Sequence, residues 1–208
     1  AHSPHSDAST DGAHSPHSAH STDGAHSTAD VIMVIRHGEK PTAPGETGFA
    51  ADGTPHHDAL TIRGWQRAGA LVALFDPAEG RLCRGLRRPD RIYAAKAEPA
   101  GRHLREEETV SPLAAKLGLR VHSHHPVPDI ARVAAEIAPL PGATLVCWEH
   151  KVLPSIVDGL GAVHPTPPAA WPGERFDVVW VFTRRGAGWD FTQVPQLLLA
   201  GDSPDPIA

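Results

Sequence analysis

The sequence predicts a three-layer α/β/α sandwich whose central sheet is mostly parallel with an antiparallel edge strand. Residues 31–35 (VIMVI) and 144–148 (TLVCW) are continuous apolar runs without polar alternation, the pattern of strands buried on both faces. Strand-like and helix-like segments alternate along most of the chain, the order that builds a parallel sheet covered by helices on both sides. Residues 177–183 and 189–194 flank Arg185-Gly186 and read as a closing hairpin.

The elements between these runs follow in order. A Pro/Gly-rich loop covers 42–58. Residues 63–75 place Trp65, Ala68, Leu71, Val72 and Phe75 at helical spacing. Residues 91–94 form a short strand. Residues 105–117 form a helix with Glu106, Glu107 and Glu108 near its positive end, and Gly118 stops it. A third strand is expected over 119–122 and a helix over 129–138, opened by an Asp129 cap. After the TLVCW strand a last helix runs to about Leu160.

The first thirty residues read differently. AHSPHSDASTDG is followed by AHSPHSAHSTDG, a twelve-residue repeat with two changes, and a broken third copy begins at Ala25. With no periodic apolar face, residues 1–30 are expected to be a disordered tail ahead of one domain over 31–208. Across the 208 residues the hydrophobic content of 40% is that of a soluble domain, and no apolar run is long enough to span a bilayer. A net charge of −5 gives no footprint for nucleic acid or membrane. Cys83 and Cys147 make no disulfide framework. No secretory signal is visible, so the expected compartment is cytoplasmic.

The chemistry belongs at the carboxyl ends of the parallel strands, where open α/β sheets bind ligands. The first apolar run ends in Arg36-His37-Gly38-Glu39 and the second in Glu149-His150, so two imidazoles are expected to face one crevice. Gly38 permits a sharp turn, and Arg36 offers a planar fork suited to phosphate oxygens.

VIMVIRHGEKP, residues 31–41, resembles the signature of the histidine phosphatase superfamily, which includes cofactor-dependent phosphoglycerate mutases. Leu60 to Ala68, LTIRGWQRA, is similar to that family's LTxxGxxQA. Arg105 to Thr109 matches the spacing of its second phosphate-binding arginine and the threonine four residues on. Trp148-Glu149-His150 stands where it carries a second histidine. The resemblance runs from about Val31 to Asp202. It implies that His37 carries the phosphoryl group as phosphohistidine, that Arg36, Arg105 and His150 surround the phosphoryl oxygens, and that neither metal nor cofactor is needed.

The general acid departs from the family pattern. Mutase-like members use a Glu after the third strand, but here that region reads VHSHHPVPDIARV, with no Glu until Glu136. Glu149 is the favoured donor; Glu39, Asp129, His124 and His125 are the others. His122, His124 and His125 resemble metal spacing only superficially, with no carboxylate cluster beside them, so no metal site is expected. The loops 42–58 (with His56-His57), 122–126 and 164–175 are expected to rim the crevice, with Trp171 as the tryptophan that touches substrate. The expected activity is metal-independent hydrolysis of a small phosphomonoester or a phosphoprotein, with a small phosphorylated molecule as partner. A phosphoglycerate-mutase-like transferase and a non-catalytic anion-binding member are the alternatives. The acidic, apolar LLLAGDSPDPIA, without a basic segment, weighs against the mutase.

Overall fold

The computed structural model describes residues 29–208; the repeat expected as a tail lies, through residue 28, outside the described residues. Seven strands and four helices follow in the order β1 (Val31–Arg36), α1 (Ile62–Phe75), β2 (Arg91–Ala94), α2 (Leu104–Leu117), β3 (Val121–His122), α3 (Ile130–Ile137), β4 (Ala143–Trp148), α4 (Val157–Leu160), β5 (Val163–His164), β6 (Val178–Arg185) and β7 (Gly188–Pro195).

The strands form one mixed sheet in the order β3-β2-β4-β1-β6-β7-β5. β3, β2, β4 and β1 pair in parallel, whereas β6 runs antiparallel to both β1 and β7. The β6–β7 hairpin thus extends the parallel core on the free side of β1. Every residue of β1 and β4 is buried, as their unbroken apolar runs require. Alternation along β1 feeds two cores. Ile32 and Val34 pack with α3, α4 and the β6–β7 hairpin; Val31, Met33 and Ile35 pack with α1 and α2. Each such fully buried aliphatic side chain contributes about 1.5–3 kcal/mol relative to exposure. At the entrance to β1, the Asp30 carboxylate accepts a hydrogen bond from Gly142 N at 2.8 Å.

Local chemistry sets the helix ends. Thr61 caps α1 by accepting from Gly64 N at 3.1 Å. In α2, Pro112 has no N–H for the Glu108 carbonyl, and the Ser111 hydroxyl donates to that carbonyl instead at 2.9 Å. Gly118, at φ 66°, closes α2. The cap expected at Asp129 does not form. Pro128 starts a 3-10 turn over Val127–Asp129, and the Asp129 carboxylate reaches Arg132 at 3.5 Å without bonding a helix N–H. The last helix likewise opens as a 3-10 turn at Leu153–Ile156, around Pro154, leaving α4 a single turn.

Candidate active site

Because β1 and β4 are parallel neighbours with Arg36 opposite Trp148, their carboxyl ends leave the sheet side by side. The pairing continues one residue further, where His37 N donates to Trp148 O at 3.1 Å. Arg36-His37 and Glu149-His150 therefore emerge at one edge.

His37 is buried, and its Nδ1 lies 2.7 Å from the Gly38 carbonyl. A carbonyl only accepts, so Nδ1 carries the proton in this contact and Nε2 presents its lone pair. Burial pushes the imidazole well below its ordinary pKa of 6.5, and the positive charges of Arg36, Arg105 and Lys40 push the same way against the Gly38 hydrogen bond. The ring is thus neutral and in one tautomer at neutral pH.

Arg36 is buried beside it. Its Nη1 donates to the carbonyls of Gly173 and Arg175, and its guanidinium carbon sits 3.8 Å over the Phe176 ring. Its Nε and Nη2 are buried and have no hydrogen-bond acceptor among the described residues. Burial lowers its pKa to about 10, with Arg105 adding repulsion and Glu149 opposing it, so the group remains charged at neutral pH. Buried charged donors without acceptors are costly, and an anion held there satisfies them.

The other cations are held nearby. Gly38 N donates to the Thr109 hydroxyl at 2.8 Å, which donates in turn to the Arg105 carbonyl at 2.6 Å. That chain fixes the turn at His37-Gly38 against the first turns of α2, as the Arg105–Thr109 spacing requires. Arg105 Nη1 also reaches His57 O at 3.4 Å, so the loop over 42–58 meets the site through backbone. Lys40, which the sequence reading passed over, is lowered by burial and by repulsion from Arg36 and Arg105. A chain of net charge −5 has gathered mutually repelling cations around one imidazole.

His150 is buried with Nδ1 3.1 Å from Glu149 Oε1. Burial and then Arg36 lower its pKa, outweighing the pull of Glu149. The second Glu149 oxygen accepts from Lys151 N at 3.1 Å. Glu149 is therefore placed against His150 without a hydrogen bond to it: the buried Nδ1 has no hydrogen-bond partner among the described residues. Another acid–imidazole contact, His103 Nδ1 to Glu106 at 3.6 Å, lies at the start of α2. Glu106 raises the pKa of His103 there, against burial.

Glu39 is committed elsewhere. Arg67 Nε lies 3.0 Å from both Glu39 oxygens, and its Nη2 donates to Glu39 at 2.7 Å and to Asp202 at 2.8 Å. Nη1 reaches Gln196 at 2.9 Å. In the LTxxGxxQA register the glutamine position is held by Arg67, and that departure marked the network in the sequence. The loop bearing Glu39 runs so close to α1 that a Cβ at Gly64 would meet the Glu39 carbonyl at 2.5 Å, which explains the glycine. Asp129 pairs with Arg132, and His124 and His125 pair with Glu136. Trp171 is a core residue: it is buried, stacks on Trp180 at 4.7 Å and donates to Arg175 O. The 164–175 loop meets the site through the Gly173 and Arg175 carbonyls on Arg36. Phe176, which supports Arg36 and lies 6.2 Å from His37, had no distinguishing mark in the sequence.

Folding both site imidazoles in the neutral form carries a pH dependence. Below pH 6.5 the unfolded chain takes up protons that folded His37 and His150 refuse, so stability falls on acidification. The expected slope is about 1.4 kcal/mol per pH unit for each imidazole, until its folded pKa is reached. Urea melts at pH 7 and pH 5 measure it.

The sequence matches no protein-family model and no curated protein. Solved structures do match. The protein histidine phosphatase SixA, complexed with tungstate, superposes with a TM-score of 0.53 at 16% identity, covering 80% of this chain and 97% of that one. An Escherichia coli protein described as an alpha-ribazole-5'-P phosphatase superposes with a TM-score of 0.51 at 14% identity, covering 79% of this chain and 95% of that one. Among the described residues no helix is long and apolar enough to cross a membrane.

Proposed function

We propose that this chain, which has the histidine phosphatase fold, is a phosphatase of that superfamily that hydrolyses a phosphomonoester through a phosphohistidine on His37. The supporting observation is a buried neutral imidazole with its Nδ1 proton committed to Gly38, beside a buried guanidinium with two donors still without acceptors. The solved structures it resembles include phosphatases by name, in keeping with this reading.

In the first step the Nε2 lone pair of His37 forms a bond to phosphorus while the bond to the leaving oxygen breaks. Arg36 and Arg105 take the phosphoryl oxygens, and their charge stabilises the transition state. The leaving oxygen takes a proton from the Glu149–His150 pair, Glu149 being the donor with His150 against it. In the second step water attacks phosphorus and gives a proton back to Glu149 as the His37–phosphorus bond breaks; orthophosphate departs and His37 regains its lone pair. His103, held toward its charged form by Glu106, is the other candidate donor. A poor leaving group separates the two. If Glu149 is the donor, Glu149→Gln slows an alkyl phosphate far more than p-nitrophenyl phosphate; if His103 is, His103→Gln does so.

The chemistry assigns no metal to this pocket, so p-nitrophenyl phosphate hydrolysis is expected to persist in EDTA. Arg105→Met is expected to lower kcat by about 10²–10³, the usual cost of removing one such donor, with little change in stability. Because His37 resists protonation, the acid limb of kcat/KM due to this group falls well below pH 6.5. A limb centred near pH 6.5 that persisted in both Glu149→Gln and His103→Gln would contradict the assignment. The substrate class extends to phosphoproteins as well as small molecules. Phosphate binding without turnover on a broad panel would favour an anion-binding role, and primer-stimulated activity on 3-phosphoglycerate a mutase.

A further inference from the structure

The end of β3 and the segment after it carry three histidines that the phosphatase reading does not use. His122 stacks on Tyr93 with ring centroids 4.7 Å apart, and His124 lies edge-on to His122 at 6.4 Å. The His125 carbonyl accepts from Lys96 N at 2.8 Å, pinning the segment to the chain leaving β2. From α3, Glu136 turns toward this segment. Its Oε2 lies 2.6 Å from His125 Nε2 and 3.4 Å from His124 Nε2.

We propose that His124, His125 and Glu136 form a binding site for a Zn2+-class divalent cation, built from none of the residues that make up the phosphoryl pocket. The sequence lacked a carboxylate beside these histidines; the packing of α3 supplies one twelve residues on from His124. The three side chains each offer a ligand atom, and these atoms all lie within 4.8 Å of one another. Tetrahedral Zn2+ with bonds of about 2.0–2.1 Å holds neighbouring ligand atoms roughly 3.3 Å apart. The His124–Glu136 separation already matches, and the His125–Glu136 contact opens by less than an ångström on ligation.

Two imidazoles and one carboxylate are a donor set suited to zinc, and they leave a fourth position for water or a small anionic ligand. Two imidazoles directed at a single carboxylate oxygen repel one another if both are charged, whereas as neutral ligands they converge on a cation. The ring stack from Tyr93 through His122 supports the His124 ring, and the Lys96 hydrogen bond holds the His125 backbone, the kind of outer support that orients metal ligands. The ion ties the 122–126 segment to α3. Its neighbour Val127 accepts from Trp148 Nε1 at 2.8 Å, so the clamp adjoins the strand that leads to Glu149 and His150. Its role is structural.

The test uses the full chain, freed of metal and then titrated with Zn2+. Six of the 15 histidines lie in residues 1–28, so the comparison is between chains that all carry them. The wild type is expected to bind one more equivalent of Zn2+ than Glu136→Gln or His125→Gln. Its Tm is expected to rise by roughly 5 °C in saturating Zn2+, a shift both variants lose. His122→Gln, outside the ligand set, keeps the extra equivalent. All three substituted positions are at least partly exposed, and circular dichroism of the metal-free variants checks that each is folded. Equal stoichiometry and equal Tm shifts in the wild type and both ligand variants would overturn the site, leaving the cluster as a hydrogen-bonded pair.

Discussion

Replacing His37 with Ala is expected to abolish turnover, with kcat lower by roughly a million-fold, the scale on which removal of a catalytic nucleophile acts. The size follows from what is lost. The other groups of the pocket bind and stabilise charge; the second neutral imidazole, His150, lies against Glu149 and lacks the backbone carbonyl that fixes the tautomer of His37. Orthophosphate binding is expected to survive in the variant, because the buried Arg36 donors that lack acceptors remain. Loss of turnover with retained phosphate binding separates chemistry from folding. A His37→Ala chain that still hydrolyses p-nitrophenyl phosphate within tenfold of the wild type would exclude His37 as nucleophile.

The largest effect on stability is expected at Arg67. Its guanidinium is almost fully buried between Glu39 and Asp202, with Gln196 on a further donor. Arg67→Met removes the buried cation and leaves the two carboxylates only the half-exposed Arg63, 3.4 Å from Glu39 and 3.9 Å from Asp202; breaking a buried pair typically costs about 3–5 kcal/mol. For a domain of this size that corresponds to a Tm lower by roughly 10 °C. The triple variant Glu39→Gln/Arg67→Met/Asp202→Asn removes the stranded charges too, and is expected to recover part of the loss. Although burial opposes it, the Arg67 hydrogen bonds, with those from Leu198 N and Leu199 N, bring Asp202 down to about 2. Its contribution is therefore present above pH 3.8 and is lost as pH falls through the folded value. Because Glu39 lies two residues past His37, Arg67→Met is also expected to lower kcat in the surviving folded fraction. A thermal melt unchanged within 2 °C would show that the network adds nothing.

The parallel core and the two histidines were legible because their signals are local. An unbroken apolar run ending in Arg-His-Gly, and another ending in Glu-His, place both imidazoles once the strands are known to be neighbours. Arg105 and Thr109 were legible through their spacing on one helix. What the sequence left hidden depends on contacts between distant segments. Phe176 and the Gly173 and Arg175 carbonyls meet Arg36 across more than 130 residues, and nothing in their local sequence marks them. Glu39 looked available for proton transfer because its partners, Arg67 and Asp202, lie on α1 and near the end of the chain. Asp129 looked like a cap because such residues favour that position, but Pro128 began a 3-10 turn earlier. Trp171, in a proline-rich loop, read as a substrate contact, but β6 brings Trp180 against it in the core.

The central claim is that the phosphoryl group rests on His37, and trapping it is the direct test. Wild-type protein mixed with excess phosphorylated substrate, quenched in alkali within milliseconds and digested, is expected to yield one phosphopeptide containing His37, labile to acid and stable to base. Equal turnover with no phosphorylated peptide at His37, or with the label on another residue, would contradict the mechanism.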